Sequence, residues 1–338
     1  MRIAGIGYAT EQGLGRLLKS FYDAGVVTDP IIVRHGKHKD HVEWYPPGTP
    51  LVGRKYNLPA KRLEGVQALL AFETFFDWHL VFSCKTRGIK TILCTMYEWT
   101  PKQLPVEPDY MLWPSRLDED MFRERYKGTF LRIPVDQTTW KLRTHANQFL
   151  HNAGHIGHRE HKGTRQLLEA VQYVENPDFR LTVRAQEGNA LKSIVKDNQH
   201  LLGDPRVSLE FGDIPYEMLF NDHDVYIAPE KFNGLSLPLQ EAYAAGLMVM
   251  TTDRYPANTW LPHEPLITPT RYERACISRN YMEFDEAIVE PRAIAREIDA
   301  VCGRDISAFS LAGKQWAEAN SWEKLKPVYM ETIRRWVS

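Results

Sequence analysis

The sequence predicts an α/β protein made of two successive parallel-sheet domains. Three observations carry that prediction. Between Val225 and Thr252 a short apolar run, a glycine-containing turn, a helix-forming stretch and a second apolar run follow one another, which is a βαβ unit. The same alternation of short apolar runs with amphipathic stretches recurs on both sides of a polar segment at residues 136–147, which reads as a linker. The chain has 338 residues, enough for two domains.

Bulk composition narrows the class. The chain is 43% hydrophobic and 25% charged, as soluble globular proteins are. A formal net charge of −1 argues against a global nucleic-acid or membrane binder. The charge is uneven: residues 1–135 hold 19 Lys and Arg against 15 Asp and Glu, and the remainder carries a deficit of five. Cys84, Cys94, Cys276 and Cys302 form no C-x-x-C pair, which fits a reducing compartment and buried thiols. The N-terminus MRIAGIGYAT has no signal pattern, and no apolar run is long enough to span a bilayer, so the expected location is cytoplasmic.

The first domain opens with a short strand ending in glycines. Residues 10–16 (TEQGLGR) lead into an amphipathic helix over 14–24, and Gly5 and Gly7 do not complete a dinucleotide fingerprint. A strand at 30–34 is followed by a polar stretch with Lys37, His38, Lys39 and His41, then Trp44 and Tyr45, with Arg54, Lys55, Lys61 and Arg62 beyond. That stretch reads as a solvated loop. Its sharper reading is an acceptor surface, because cations with interleaved aromatics suit an anionic or base-stacking ligand. Residues 68–76 read as an apolar helix bearing Glu73 and Asp77, and residues 80–83 and 91–94 as strands. A loop with Tyr97, Glu98 and Trp99 follows. Residues 110–114 read as a strand, Ser115 as the cap of a helix over 118–126, and 130–135 as a strand.

The second domain opens with a strand at 149–152, a loop rich in histidine (His151, His155, His158, His161) and a helix over 163–173. The histidines lack a carboxylate or thiolate at ligand spacing, and no metal site is expected. Strands are expected at 179–184, 207–211 and 225–228, and a short helix at 218–220. Asp222 and Asp224 form a D-x-D that reads as a helix end and turn. Pro238 sits close to the start of a helix that stops at Gly246. The helix N-terminus favours phosphate, and Glu241, one turn in, can accept bonds from two adjacent hydroxyls. Residues 291–301 and 307–319 read as amphipathic helices and 322–336 as the last helix.

Residues 229–253 carry a resemblance. The pattern P-S-x-x-E-G-F-G-L-P-x-x-E-A-M-A-x-G-x-P-V-I maps onto them without a gap, with Pro229, Gly234, Leu237, Pro238, Glu241, Ala242, Ala245 and Gly246 in their places. The segment resembles the signature of retaining nucleotide-sugar glycosyltransferases of the E-x7-E type (glycosyltransferase family 4-like). It departs at Asn233, where the pattern has its first Glu, and at Ser236.

The resemblance implies a GT-B fold: two Rossmann-like domains facing across a cleft, at 1–140 and 141–320, with a C-terminal helix at 321–338 crossing back to the first. It implies a hexosyl- or pentosyltransferase that moves a sugar from a nucleoside diphosphate donor, UDP- or GDP-linked, to an acceptor hydroxyl with retention and without a metal or other cofactor. Lys162 and either His155 or Arg159 then hold the diphosphate, with Gly13 and Gly15 on its other side. Ile214, Pro215 and Tyr216 meet the base. Asn233, Gly234, Leu235, Ser236 and Leu237 meet sugar and phosphate, and Glu241 the ribose. Glu98 serves the acceptor hydroxyl or a cationic transition state, and Lys162 the leaving group. Lys37, Lys39, Trp44 and Trp99 are the acceptor-side candidates. Two alternatives stand beside this reading: a phage-type transferase acting on a hydroxymethylated base in DNA, and an inactive nucleotide-sugar-binding protein.

Overall fold

The structure, a computed structural model, describes residues 1–11, 13–53, 60–135, 139–154, 160–186, 188–198, 201, 203–212, 214–277 and 282–338. The chain divides into two compact units. One comprises Met1–Asp136, Ile277–Met282 and Asn320–Ser338, and the other Gln137–Cys276 and Glu283–Ala319.

In the first unit the elements run β1 (Ile3–Gly7), α1 (Gly13–Asp23), β2 (Asp29–Val33), β3 (Leu51–Val52), β4 (Ala68–Phe72), α2 (Trp78–Thr86), β5 (Lys90–Cys94), β6 (Tyr110–Trp113), α3 (Arg116–Phe122) and β7 (Gly128–Phe130). The strands form one parallel sheet in the order β3-β2-β1-β4-β5-β6-β7. The chain reverses its direction of growth between β1 and β4, so the loops leaving those strands border the crevice where such sheets take ligands.

Two expected elements exchange character here. Residues 68–72 are a central strand and not a helix, and residues 80–83 lie in α2 and not in a strand. Every residue of β4 is buried. A strand covered on both faces is continuously apolar and has no period to set it apart from a buried helix. α2 is started by Asp77, whose carboxylate accepts from the His79 N–H at 3.0 Å, a cap that outweighs the β-like run behind it. Smaller shifts follow the caps. Ser115 caps α3 as expected, but the helix starts two residues earlier and stops at Phe122, and β7 ends at Phe130 and does not continue to 135. Cys276 is exposed, whereas Cys84, Cys94 and Cys302 are buried as their apolar settings require.

The second unit runs β8 (Gln148–Gly154), α4 (Thr164–Ala170), β9 (Arg180–Ala185), α5 (Gly188–Asp197), β10 (Val207–Phe211), β11 (Val225–Ala228), α6 (Leu237–Ala244), β12 (Met248–Thr252), β13 (Leu266–Ile267), β14 (Arg271–Ile277), β15 (Met282–Ile288), α7 (Pro291–Val301) and α8 (Ser307–Ala319). β8 to β13 form a second parallel sheet, ordered β10-β9-β8-β11-β12-β13. Its reversal lies between β8 and β11. β14 and β15 pair separately as a ribbon, which the sequence reading missed together with α5. The short helix expected at 218–220 is a 3-10 turn at Tyr216–Met218. Asp224 of the D-x-D accepts the Gln148 N–H at 3.0 Å and so closes the start of β8.

The last helix, α9 (Trp322–Val337), belongs to the first unit. Its anchors are polar as well as apolar. Trp322 donates its indole N–H to the Ser20 hydroxyl at 2.7 Å, and Trp336 stacks on Tyr110 with centroids 4.6 Å apart. Tyr329 is fully buried and donates to the Arg132 carbonyl at 2.7 Å. A phenylalanine there would leave that carbonyl without its donor in a dry site. Tyr329→Phe should therefore lower stability by about 1–3 kcal/mol. Thermal unfolding checks this, and an unshifted melting midpoint would mean that the hydroxyl contributes nothing.

Candidate active site

The loops that leave β8 and β11 meet at the reversal of the second sheet. They are sewn together by three contacts. The Lys231 N–H donates to the His161 carbonyl at 2.7 Å, and the Lys231 ammonium lies 3.3 Å from Glu160. Gly163 adopts φ +73°, and a Cβ on it would fall 2.1 Å from the Pro229 carbonyl oxygen. No side chain fits there. The glycine after Lys162 is thus required by the approach of Pro229, which brings the two loops to one place.

Behind these loops lies His151, fully buried. Its Nδ1 is 2.8 Å from the Ile227 carbonyl and its Nε2 2.8 Å from the Thr164 hydroxyl. A carbonyl only accepts, so Nδ1 carries the proton and Nε2 accepts from Thr164. The ring ties β8, β11 and the first residue of α4. Burial, with the nearby Lys162 charge, pushes its pKa down to about 4 despite the opposing bond to Ile227. His151 is therefore a neutral cross-link and not a metal ligand. His155, His158 and Arg159 lie outside the described residues. Among the described residues no group of three or more His, Cys, Asp or Glu side chains is placed to hold a metal ion.

Lys162 donates to the Asn152 carbonyl at 3.2 Å. Burial draws its pKa below the ordinary lysine value, and the carboxylates of Glu230 and Glu241 pull it back up. These two acids and the ammonium thus share one neighbourhood. Glu241 lies on α6, one turn from its start, and accepts the Tyr216 hydroxyl at 3.0 Å on Oε1. Tyr216 comes from the turn after β10, where Ile214 and Pro215 precede it.

The turn from Pro229 to Leu237 is held from inside by residues the sequence reading did not single out. The Glu230 and Arg254 side chains are 2% and 4% exposed and pair at 2.8 Å. Glu230 also accepts from the Ser236 hydroxyl and from the Asn233 amide at 3.2 Å. Arg254 donates to the Glu230 carbonyl at 3.1 Å and to the Asn233 carbonyl at 2.8 Å. The Asn233 side-chain oxygen accepts the Ser236 N–H at 2.8 Å. Ser236 stands at φ +48°, a left-handed conformation that costs a non-glycine residue energy and persists only when its surroundings enforce it. Asn233 is therefore turned into the loop. Gly234, Leu235 and Leu237 present the adjoining backbone and the start of α6. The sequence carries only weak cues for this network: an acid next to the turn proline and an arginine two residues past β12.

The remaining candidates lie in the first unit. Gly13 and Gly15 fall in the first turn of α1 and not in the loop before it. A Cβ on Gly15 would fall 2.2 Å from the Thr10 nitrogen, so that glycine serves the packing of helix on loop. Lys39 pairs with Glu43 at 3.2 Å, and Lys37 is exposed. Trp44 stacks on His41 with centroids 4.5 Å apart, and the Arg16 guanidinium lies over its ring at 5.1 Å. Trp99 is exposed. Arg54 and Lys55 lie outside the described residues.

Glu98 follows β5, within electrostatic range of two more acids at the same sheet edge. Burial lifts Glu73, directly after β4, to a pKa of about 8, and the Glu98 charge adds to the rise. Burial lifts Asp118 to about 7; bonds from Ser115 and Thr95 oppose that rise, and the Glu98 charge adds to it.

Residues 149–276 match the family model described as Glycosyl transferases group 1. A search of curated proteins finds no match. Among solved structures, a glycosyltransferase from Rickettsia africae aligns with a TM-score of 0.72 at 12% identity, over 100% of this chain and 98% of its own. Anabaena HepE, solved with UDP and glucose, aligns with a TM-score of 0.71 at 10% identity, over 99% of this chain and 100% of its own. The pneumococcal O-GlcNAc transferase GtfA, solved with UDP and GlcNAc, aligns with a TM-score of 0.57 at 14% identity over 82% of this chain. The chain spans only 58% of that protein's length. Two parallel-sheet α/β units, with these likenesses, define a GT-B fold. Among the described residues no helix is long and apolar enough to cross a membrane.

Two predictions follow from the site's interior. Removing one partner of a buried pair strands the other charge, so Glu230→Ala and Arg254→Ala should each cost about 3–5 kcal/mol. The double variant should cost less than the sum; strict additivity in a denaturation cycle would show that the pair is not coupled. The second concerns acid. His151, His161 and His223 all have pKa values lowered by burial to about 4, from 6.5. The unfolded chain binds these protons more readily, so stability is retained above about pH 6.5 and lost as pH falls towards 4. Denaturant midpoints across that window should reveal the loss, and His151→Gln should reduce it. An equal loss in that variant would assign the protons elsewhere.

Proposed function

We propose that the chain is a glycosyltransferase that moves a sugar from a nucleoside diphosphate sugar to an acceptor hydroxyl, with retention of configuration. The observation that carries this reading is the meeting of Lys162, the 233–237 turn and Glu241 where the second sheet reverses. Fold and family likeness support it, and the UDP in the HepE and GtfA structures favours a UDP-linked donor.

In this reading Glu241 accepts the ribose hydroxyls. The backbone from Gly234 to Leu237 and the start of α6 meet the sugar and the phosphates. Lys162 faces the diphosphate, with His155 or Arg159 as its companion. The bond from the anomeric carbon to the phosphate oxygen breaks, and its electron pair stays on the diphosphate. Lys162 offsets that growing charge. The acceptor oxygen bonds to the same face of the anomeric carbon and passes its proton to the departing phosphate oxygen. We assign Glu98 to orienting the acceptor hydroxyl. Because Lys162 supplies the cation, the reaction is read as metal-independent. Lys37 and Lys39 are matched in number by Asp40 and Glu43, whereas Arg54, Lys55, Lys61 and Arg62 have no acid among them, so an anionic acceptor such as DNA is the second reading.

A panel of nucleotide sugars, scored by thermal stabilisation and by hydrolysis, tests the reading, because only the folded site binds. Glu241→Ala should weaken donor binding by about 1.5–3 kcal/mol, the value of bonds to a charged acceptor. Lys162→Ala should cut kcat by about 100-fold or more while changing donor affinity far less, as for groups that act mainly in the transition state. Stabilisation by no nucleotide sugar would remove the proposal. An equal fall in binding and turnover would reduce Lys162 to a ground-state contact.

A further inference from the structure

We infer that Tyr216 is a positioning residue that aims the Glu241 carboxylate at the donor ribose and thereby sets the preference for ribonucleotides over 2′-deoxyribonucleotides. The inference rests on the reading that Glu241 meets the ribose. It adds a residue to which the family signature gives no part in that contact.

The geometry is specific. Tyr216 does not belong to the helix that carries Glu241. It stands in the turn after β10, which Pro215 enters at φ −52° and which is closed by bonds from the Met218 N–H to the Pro215 carbonyl at 2.9 Å and from the Leu219 N–H to the Tyr216 carbonyl at 3.2 Å. The phenol is thus delivered to α6 from a separate, locally braced segment. Its hydroxyl donates to Glu241 Oε1 at 3.0 Å. A glutamate side chain in a helix has three torsions to fix, and each left loose costs entropy when a ligand orders it. A bond from a phenol with only two torsions restricts the carboxylate before the ligand arrives. An ionised carboxylate accepts about four bonds, so one from Tyr216 and two from a vicinal diol are compatible. The Lys162 ammonium lies within electrostatic range of the same carboxylate, which draws the lysine pKa upwards.

A purely structural tyrosine would predict something different. Its loss would weaken every ligand of the site alike. A tyrosine that aims Glu241 acts only through hydroxyls that Glu241 touches, so its loss is felt more by UDP, which offers two of them, than by 2′-deoxy-UDP, which offers one.

The experiment is titration calorimetry of the full chain with UDP and with 2′-deoxy-UDP, on the wild type, Glu241→Ala and Tyr216→Phe, with melting curves to verify folding. The wild type should prefer UDP, and Glu241→Ala should abolish that preference. Tyr216→Phe should shrink it by roughly threefold or more, the scale of one hydrogen bond to a charged group held in place, with the larger loss on UDP. If Glu241→Ala keeps the preference, or neither nucleotide binds the wild type, the ribose reading falls and this inference with it. If Glu241→Ala loses the preference while Tyr216→Phe keeps it in full, the ribose reading stands and the role of Tyr216 is overturned. Equal weakening of both nucleotides in Tyr216→Phe overturns it in favour of a structural role. A larger preference in that variant overturns it in favour of competition between Tyr216 and the ribose.

Discussion

The buried ion pair of Glu230 and Arg254 is the constraint on which the candidate donor site depends. Taking both charges out of water is expensive, and their mutual attraction offsets this only when the remaining lone pairs and protons are also matched. Here they are. Glu230 accepts from Arg254, Ser236 and Asn233, and Arg254 spends further donors on two backbone carbonyls of the same turn. The turn is therefore held at both ends and in its middle, and the left-handed Ser236 is tolerated because so many bonds hold it. A turn of this kind presents backbone N–H groups in one arrangement, which is what recognition of a phosphate or a sugar needs.

That rigidity propagates through contacts too close for substitution. Pro229 presses on Gly163, and Gly163 follows Lys162 in the chain, so the position of the ammonium is tied to that of the turn. His151 repeats the link at a deeper level, joining the end of β11 to the first residue of α4 as a neutral ring. A charged imidazole would face the nearby Lys162 ammonium, so burial and that charge together keep His151 neutral, while Glu230 and Glu241 support the ammonium against the same burial. In the first unit the logic is reversed. Glu73, Glu98 and Asp118 gather acids at one sheet edge, and burial with mutual repulsion keeps Glu73 and Asp118 partly protonated near neutrality.

The two-domain α/β plan was legible because it rests on local signals: short apolar runs, glycine stops and a proline near a helix start. β11, α7 and α8 could be bounded to the residue for that reason. β4 was misread because burial on both faces erases the period that separates strand from helix, and α2 because the short apolar run at 80–82 reads as a strand, leaving only the Asp77 cap as a cue. Tyr216 and Lys162 could be singled out only through the resemblance, and Glu241 also from its place one turn into the helix that Pro238 begins. Glu230 and Arg254 could not, since they are separated by α6 and β12 and only folding makes them partners. A lone charged residue in a turn ordinarily reads as solvated surface. The stacking of Trp44 on His41 and under Arg16 was likewise not legible, since only folding brings Arg16 to that ring.

The departure at position 233 follows from the same pair. The family pattern has Ser where this chain has Glu230, and Glu where it has Asn233, so an acid is lost at one place and gained three residues earlier. The two changes are one physical change. Asn233 donates its amide to Glu230 and accepts the Ser236 N–H, a combination that requires a side chain with both a donor and an acceptor. A glutamate at 233 has no donor and would set a second anion beside a buried carboxylate that is already paired with Arg254. The acid at 230 therefore excludes an acid at 233, and restoring the glutamate alone would break the turn and not repair the motif. In the proposed reading the turn lacks a charged acceptor beside the sugar and keeps the backbone from Gly234 to Leu237, whose position is set by the bonds of Glu230 and Arg254.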